Sequence, residues 1–367
     1  MSLLNGFRDR KVLITGHTGF KGSWLTTWLV KLGAQVTGFS LDVPTQPAMF
    51  EVLGLANRIQ HVQGDIRNVQ EVSRLIHELR PDFVFHLAAQ AIVSVSYSDP
   101  FETVTTNVVG TMSVLEALRT LDQPCAAILI TSDKCYDNVE WVWGYRETDR
   151  LGGKDVYSGS KGAAELIIKS YTQSFFQHNH PVRLAVGRAG NVIGGGDWAR
   201  DRIVADCMSA WSAGQPVEIR NPNATRPWQH VLEPLSGYLW LAVGLTTRPG
   251  LHGEAFNFGP RAEQNHSVVD LISDLSRHWN FTDFLDACSI TGNMTFHEAG
   301  LLKLNCDKAL FQLRWEPSLD YGTTARLVSD WYRSYYQQTV DMYSLTLQQI
   351  SEYESIAENK KQAWCTT

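Results

Sequence analysis

Residues 11–22 read KVLITGHTGFKG, and this stretch gives the strongest indication of the fold. The run KVLIT is apolar after its first residue, which predicts a short buried strand. It is followed by Gly16, Gly19 and Gly22, and the segment 22–33 then repeats apolar residues at helical spacing. A strand that passes through a glycine-rich turn into a helix is typical of a dinucleotide-binding unit, because the glycines let the backbone approach a pyrophosphate at the helix N-terminus. The sequence therefore predicts a nucleotide site near the start of the chain.

Outward from this unit, strands and helices alternate as far as residue 190. Further strands are predicted at 34–40, 58–66, 81–89, 126–132 and 182–189, and long helices at 102–121 and 156–176. This alternation predicts an α/β fold of the Rossmann type, a doubly wound parallel sheet with helices on both faces. After Gly190 the rhythm changes, and Gly, Pro, Trp and Arg become frequent. We therefore predict an NAD-binding domain over 1–189, a smaller mixed α/β substrate-binding domain over 190–339 with part of it free to return to the main sheet, and a helical tail over 340–367.

Composition narrows the class of protein. The 367 residues carry a net charge of -6 without a block of Lys or Arg, so nucleic acid and anionic membranes are poor candidate partners. The six cysteines are irregularly spaced, which argues against a disulfide framework or a metal site. The N-terminal residues lack the apolar core of a signal peptide, and no apolar run is long enough for a membrane helix. We expect a cytoplasmic enzyme.

The other predicted strands end in small or polar residues at the same edge of the sheet. Asp65 follows one strand, where it could grip an adenine, and Ala88 ends another, where a small side chain lets a dinucleotide lie against the backbone. Ser40 and Asp42 follow the second strand, where either could meet the adenosine ribose. Since no Arg follows that strand to pair with a 2′-phosphate, NAD is favoured over NADP. The candidate cofactor-binding residues are Gly16, Gly19, Phe20, Lys21, Gly22, Ser40, Asp65, Ile66, Leu87, Ala88, Ala89, Thr106, Tyr157 and Lys161.

Tyr157 and Lys161 lie four residues apart in YSGSK, and so share one face of a helix. A tyrosine pKa of about 10 is too high for a base at neutral pH, and an adjacent ammonium lowers it. The pair could then take a proton from a substrate hydroxyl while hydride leaves the same carbon for NAD. The alternative is a chance pair of surface residues. An earlier strand ends in TSDKCYDN (131–138), where an acid and an amine stand side by side.

These motifs, together with HLAA (86–89) and GRAGNVIG (187–194), resemble the extended short-chain dehydrogenase/reductases from about residue 11 to about residue 335. That family contains nucleotide-sugar epimerases, dehydratases and decarboxylases. The resemblance implies that Ser132 binds the 4-hydroxyl of the sugar, that Tyr157 is the base and that Lys161 supports it. It also implies a homodimer, in which helices 102–121 and 156–176 form a four-helix interface.

Within the family, the charged pair after Ser132 resembles the sugar 4,6-dehydratases. The stretches GNVIGGGDWARDRI and NPNATRPWQHVLEPL are similar to the branch that acts on CDP-glucose, which implies this substrate and a role in deoxysugar synthesis for lipopolysaccharide O-antigen. The implied reaction oxidises C4, eliminates water across C5 and C6, and returns hydride to C6. Asp133 would protonate the departing C6 hydroxyl, for which a buried site would have to raise its pKa. A 4-epimerase on the same scaffold and a non-catalytic NAD-binding protein are the alternatives.

Lys134 departs from the family pattern, because related dehydratases carry a carboxylate at this position as the base for C5. Lys134 would serve as a base only with a depressed pKa. Otherwise it stabilises an enolate electrostatically, or pairs with Asp133 and only shapes the loop.

Polar residues in the second half of the chain complete the predicted site. The resemblance places Asn191 near the substrate phosphates and Arg226 on the pyrophosphate, with Arg202 as a second candidate. The strand PVEIR (216–220) matches the one beside the nucleotide base, and Arg220 could stack on or bond a cytosine. Alternation separates Glu218 and Arg220 from Val217 and Ile219, and the sequence leaves open which face meets the base.

Overall fold

The computed structural model of the chain describes residues 3–177, 179–219, 221–261, 263–264, 266–279, 281, 283–290 and 301–365. Arg220, which was predicted to contact the base, lies outside these residues.

The central feature is a seven-stranded parallel sheet, which confirms the predicted doubly wound α/β fold. Its strands are β1 (Lys11–Thr15), β2 (Gln35–Ser40), β3 (Gln60–Gln63), β4 (Phe83–His86), β5 (Cys125–Ile130), β6 (Val182–Ala189) and β11 (Ala255–Phe258). The spatial order is β11-β6-β5-β4-β1-β2-β3, so the strand order reverses between β1 and β4. In sheets of this kind a crevice opens outside the carboxyl ends of the strands at such a reversal, and it is the usual ligand site.

Helices follow most of the strands. They are α1 (Leu3–Gly6), α2 (Phe20–Lys31), α3 (Met49–Val52), α4 (Val69–Leu79), α5 (Val93–Ser98), α6 (Pro100–Val104), α7 (Gly110–Arg119), α8 (Val156–Phe175), α9 (Ile203–Ser212), α10 (Leu232–Thr247), α11 (Val268–His278), α12 (Phe284–Ala287), α13 (Tyr321–Gln337) and α14 (Met342–Asn359). A π-helical segment, Thr105–Val109, joins α6 to α7, and a 3-10 turn, Asp133–Cys135, follows β5.

The inner strands of the main sheet send alternate side chains into two separate cores, as strand geometry requires. Val12 and Ile14 of β1 pack on the face covered by α2 and α10, whereas Leu13 packs on the face covered by α4, α7 and α8. The sheet is therefore buried on both sides, which accounts for its continuous apolar runs.

The chain beyond residue 189 forms three small pairs of strands and also returns to the main sheet. The small strands are β7 (Val192–Ile193), β8 (Val217–Ile219), β9 (Thr225–Arg226), β10 (Gln229–His230), β12 (His266–Ser267) and β13 (Cys288–Ile290). They pair as β7 with β10, β8 with β13 and β9 with β12. Strand β11 pairs with β6 and α10 packs beneath the sheet. The division into domains at residue 190 stays a prediction.

The helical tail packs against α2, the helix that follows the glycine turn. Trp28 of α2 donates from its indole nitrogen to Glu354 Oε1 of α14 at 2.8 Å. The Tyr353 ring meets Trp28 edge to face at 5.6 Å and stacks on Trp364 at the same separation. Among the described residues, no helix combines the length and the apolar character that crossing a membrane requires.

Candidate active site

One cleft of about 1860 Å³ opens at the carboxyl ends of the central strands. It is lined by every candidate cofactor, catalytic and substrate residue predicted from the sequence, apart from Arg220, which is not described. Its volume exceeds the roughly 300–1,000 Å³ of ordinary small-molecule sites and suits two nucleotide-sized ligands side by side.

The glycine turn after β1 is crowded against its neighbours. Gly16 has a φ of +78°, and a Cβ there would lie 2.6 Å from the backbone nitrogen of Ala88. A Cβ on Gly22 would lie 2.1 Å from the carbonyl oxygen of Gly16. Neither position accepts a side chain, so the backbone itself forms the floor of the cleft at the start of α2. This is the shape that a pyrophosphate at a helix N-terminus requires.

A histidine pair beneath this turn was not predicted. His17 Nδ1 forms a hydrogen bond with Ser40 Oγ at 2.9 Å, and His17 Nε2 forms one with His61 Nδ1 at 2.7 Å. Burial, and then the neighbouring His61, lower the pKa of His17 to about 4. The predicted ribose contact Ser40 therefore already has a partner for its hydroxyl, while Asp42 also lines the cleft.

Two further cofactor candidates are held by partners on the cleft wall. Arg67 pairs with the Asp65 carboxylate at 2.6 Å, and this bonding lowers the pKa of Asp65. Thr106 Oγ1 donates to Glu102 Oε1 at 3.1 Å. The polar groups at this end of the cleft are thus oriented by their own neighbours.

The segment 132–135 follows β5 and contains the predicted catalytic residues Ser132, Asp133 and Lys134, and it is called the catalytic turn below. Ser132 caps the 3-10 turn by accepting from the backbone nitrogen of Lys134 at 3.2 Å, and its hydroxyl donates to Asp133 Oδ1 at 2.9 Å. Asp133 is buried and Lys134 half-buried, and both line the cleft. No ion pair joins Asp133 to Lys134, and none involves Lys134 at all within the described part of the chain. The loop-shaping charge pair weighed from the sequence therefore finds no support.

Tyr157 and Lys161 lie on the first turns of α8, which Asp155 caps by accepting from Ser158 at 2.9 Å. The Lys161 ammonium lies 6.0 Å from the centre of the Tyr157 ring. Burial raises the pKa of Tyr157 to about 12, although a hydrogen bond with Ser132 and the positive charge of Arg202 oppose the rise. The prediction that the Lys161 ammonium lowers the pKa of Tyr157 below its ordinary value is therefore wrong. Desolvation of the Tyr157 phenolate outweighs the nearby charges.

Two buried lysines flank the catalytic turn. Burial lowers the pKa of Lys161 to about 8, although Cys135 and the Glu165 carboxylate oppose the decrease. Burial also lowers the pKa of Lys21, on the first turn of α2, to about 8, and the positive charge of Arg202 lowers it further. The mutual repulsion of these cations favours an anionic group in the space between them.

Arg202 is half-buried and lines the cleft. Its guanidinium pairs with Asp197 at 3.0 Å, and its charge acts on both Lys21 and Tyr157. Asp197 is buried and had not been singled out in the sequence, although its place in GGGDW, directly before a cluster of arginines, was a signal.

The far end of the cleft is formed by residues after β6. Asn191 and the buried Arg226 line it, and Arg226 Nη1 donates to the carbonyl oxygen of Thr225 at 2.9 Å. In β8, Val217 and Ile219 are buried whereas Glu218 is exposed and lines the cleft. Ile219 lines the cleft as well, so which face of β8 meets the base stays a prediction.

Comparison with known proteins agrees with this geometry. The family model described as GDP-mannose 4,6 dehydratase matches residues 13–327, and the chain belongs to this family. It is 44% identical over 357 residues to CDP-glucose 4,6-dehydratase of Salmonella typhimurium, covering 96% of this chain and 98% of that relative. It is 26% identical over 336 residues to dTDP-glucose 4,6-dehydratase of Xanthomonas campestris, covering 87% and 92% of the two chains. The family predicted from the motifs is confirmed.

Solved structures share the fold. UDP-glucose 4-epimerase of Thermotoga maritima, solved with UDP-glucose, superposes with a TM-score of 0.76 at 21% identity and covers 89% of this chain and 99% of that one. dTDP-glucose 4,6-dehydratase of Bacillus anthracis, solved in complex with NAD, gives a TM-score of 0.73 at 19% identity over 89% and 98% of the two chains. At these identities the likeness concerns architecture alone.

Proposed function

We propose that the protein is an NAD-dependent hydro-lyase that converts CDP-glucose to CDP-4-keto-6-deoxyglucose and water. The observation that carries this proposal is the grouping, in one cleft, of Ser132, Tyr157 and Lys161 with the acid–amine pair Asp133 and Lys134. The first three residues suit oxidation at a sugar hydroxyl, and the added acid suits removal of a leaving group. The 44% identity to CDP-glucose 4,6-dehydratase supports the same assignment.

The cleft fits NAD. The crowded Gly16 and Gly22 leave backbone to face a pyrophosphate, and Asp42 at the end of β2 suits an unphosphorylated ribose. Ala88 and Ala89 also line the cleft, where their small side chains leave room for a dinucleotide against the backbone. When bound, NAD would supply the acceptor for hydride from C4 and the donor of that hydride to C6, so the cofactor is regenerated in each cycle.

In the first half-reaction Tyr157 removes the proton of the C4 hydroxyl, and the Ser132 hydroxyl orients that group. The Ser132 side chain is near enough to the Tyr157 phenol to oppose the rise in its pKa, and both residues line the cleft. The Lys161 ammonium, 6.0 Å from the ring centre, stabilises the phenolate that must form.

In the elimination step the C4 ketone makes the C5 hydrogen acidic, the C5 proton leaves to a water molecule in the cleft, and Asp133 protonates the departing C6 hydroxyl, which leaves as water. Asp133 is placed for this role because it is buried in the turn after β5 and lines the cleft beside Ser132 and Tyr157. We assign Lys134 to stabilisation of the enolate, since its ammonium lines the cleft without an ion-pair partner in the described chain.

The diphosphate and the base would lie toward Arg202, Arg226 and Asn191. A guanidinium suits the pyrophosphate by bidentate contact. Glu218, on the open face of β8, offers a carboxylate to the exocyclic amine of cytosine, whereas uracil and thymine present a carbonyl oxygen that it would repel.

The proposal is tested by incubating the protein with CDP-glucose and catalytic NAD, followed by mass spectrometry. A dehydratase yields a 4-keto product that has lost one water. An epimerase would give an isomer of unchanged mass, and a non-catalytic NAD-binding protein would give no product, so either result contradicts the proposal.

We also propose a cytoplasmic homodimer that functions in deoxysugar synthesis for O-antigen. Exposed apolar side chains on α6 and α8 support the dimer, among them Phe101, 78% exposed, and Leu166, 55% exposed. Helices α6 and α8 pack against each other, and exposed apolar side chains that adjoin in one patch often mark a protein interface.

A further inference from the structure

A buried ion pair lies directly behind the catalytic residues, and the proposed mechanism does not use it. The Arg188 guanidinium of β6 donates two hydrogen bonds to the Glu165 carboxylate of α8, from Nε to Oε1 at 2.7 Å and from Nη2 to Oε2 at 2.8 Å. Both side chains are only 4% exposed. This bidentate geometry fixes the direction as well as the distance between the two groups.

The pair is bonded to both ends of the catalytic turn. Thr131 Oγ1, directly before Ser132, donates to Glu165 Oε1 at 2.5 Å. Arg188 Nη1 donates at 2.7 Å to the hydroxyl of Tyr136, which directly follows the 3-10 turn. The residues that carry Asp133 and Lys134 are therefore held from both sides by one ion pair.

The same pair is also part of the helix that carries the base. Glu165 lies one helical turn beyond Lys161 and two turns beyond Tyr157 on α8. A displacement of the Glu165 side chain would therefore change the position of α8 relative to the catalytic turn. Outer contacts hold the pair in place, since Tyr136 donates to Asn257 Oδ1 at 2.8 Å.

We propose that the Glu165–Arg188 ion pair is a positioning device, which holds the Ser132–Lys134 turn at a fixed separation from Tyr157 and Lys161 and supports the Lys161 ammonium. The inference rests on the proposed function. It explains why a charge pair is kept in the core, where ion pairs are poor sources of stability. Replacing both members of a buried pair by neutral groups of similar volume is often neutral for stability, whereas removing one member is strongly destabilising.

The charge of Glu165 also reaches the catalytic lysine. Its carboxylate raises the pKa of Lys161, against the larger effect of burial. The titratable groups that interact with the Lys161 ammonium come from several elements and are Lys21, His86, Cys135, Tyr157 and Glu165. Of these, Glu165 is the carboxylate, so its neutralisation should lower the pH at which Lys161 loses its proton.

The experiment compares Glu165→Gln, the double variant Glu165→Gln/Arg188→Met and Thr131→Val with the wild type. Thermal unfolding, kcat and KM for CDP-glucose, and the pH profile of kcat are measured for each. The double variant should regain the thermal midpoint that Glu165→Gln loses, but kcat should stay about tenfold or more below the wild type, because misplaced catalytic groups react slowly. In the double variant KM should change less than kcat. The alkaline limb of the pH profile of kcat should move to lower pH.

Thr131→Val removes one hydrogen bond to the pair and leaves the charges in place, so folding is not at risk. A fall in kcat without a fall in thermal midpoint supports the inference. As a matched control, Asp274→Asn/Arg277→Met removes an exposed ion pair of 2.9 Å on α11 and should leave kcat unchanged.

Full recovery of kcat and of the wild-type pH profile in the double variant, or an unchanged kcat in Thr131→Val, would show that the pair serves stability alone. If the wild type and the α11 control both fail to release the 4-keto product, the proposed function fails instead, so the two outcomes are distinguishable.

Discussion

Lys134 lies directly after a buried acid, yet the two side chains do not pair. Its backbone nitrogen donates to Ser132 Oγ at 3.2 Å, and the residue lines the cleft. A cation held there without a partner among the described residues can stabilise negative charge that develops on a substrate. The electrostatic role therefore agrees better with the geometry than a role in shaping the loop.

Lys134→Met keeps the length of the side chain and removes its charge. We expect kcat to fall by about a hundredfold, the usual effect of losing one group that stabilises an oxyanion. Because C4 oxidation does not need this charge, a 4-keto sugar that still carries its C6 hydroxyl should accumulate, as measured by rapid quench and mass spectrometry. Lys360→Met, at the exposed end of the tail, is the control. Unchanged turnover in Lys134→Met would refute its catalytic role.

Glu218 provides a test of base recognition at the other end of the cleft. Glu218→Gln replaces a pure acceptor by an amide that can also donate, so it should no longer discriminate against the carbonyl of uracil. We expect the preference in kcat/KM for CDP-glucose over UDP-glucose to shrink by about tenfold, the effect of one base contact. An unchanged preference, with both substrates assayed in parallel, would place cytosine recognition elsewhere.

Single residues also show where sequence patterns stop being sufficient. The spacing of Tyr157 and Lys161 predicted their shared helix face, and the structure places both in the cleft. It did not predict that burial raises the pKa of Tyr157 to about 12, because desolvation depends on everything packed around the phenol. The Glu165–Arg188 pair joins residues 23 positions apart and gives no local signal.

Among the elements, the tail helix α14 has the largest role that the sequence did not reveal. Its polar exterior predicted only a helix, but one face carries Tyr353 against α2 and α10. The buried Glu233 of α10 accepts from Tyr353 at 2.8 Å and from the backbone nitrogens of Ser318 and Leu319. One carboxylate thus joins three segments that are far apart in sequence. The main sheet, in contrast, was predictable because its strands are short apolar runs with local signals.

This junction predicts a specific dependence of stability on pH. Burial raises the pKa of Glu233 from 4.5 to about 7, although its hydrogen bonds oppose the rise. The folded state therefore holds a proton that the unfolded state has released between these two values. The stability associated with the protonated carboxyl is complete below pH 4.5 and is lost as the pH rises toward 7.

The measurement is the free energy of unfolding of wild type and Glu233→Gln between pH 4.5 and 8. Glutamine does not titrate, and all other groups cancel in the difference between the two proteins. The wild type should lose roughly 3 kcal/mol relative to the variant across this interval, at about 1.4 kcal/mol per unit of pKa. A difference that does not vary with pH would mean that Glu233 is ionised at no cost to stability.

At the scale of the whole molecule, the exposed apolar face of α6 and α8 predicts the assembly. Leu166→Glu puts a charge in the centre of this face and should convert the dimer to monomers in sedimentation experiments, because a buried unpaired carboxylate is costly. Leu285→Glu is a matched control, since Leu285 is 77% exposed but lies on α12. A Leu166→Glu protein that sediments like the wild type would place the interface elsewhere.

In the proposed reaction one bound cofactor would accept hydride from C4 of the sugar and return the same hydride to C6. The most direct test uses CDP-glucose labelled with deuterium at C4, with unlabelled NAD in excess, and locates the label in the product by NMR and mass spectrometry. We expect a 4-keto-6-deoxy product with the deuterium at C6, and no product from Tyr157→Phe. Deuterium recovered at C4, or lost to free cofactor or solvent, would contradict it.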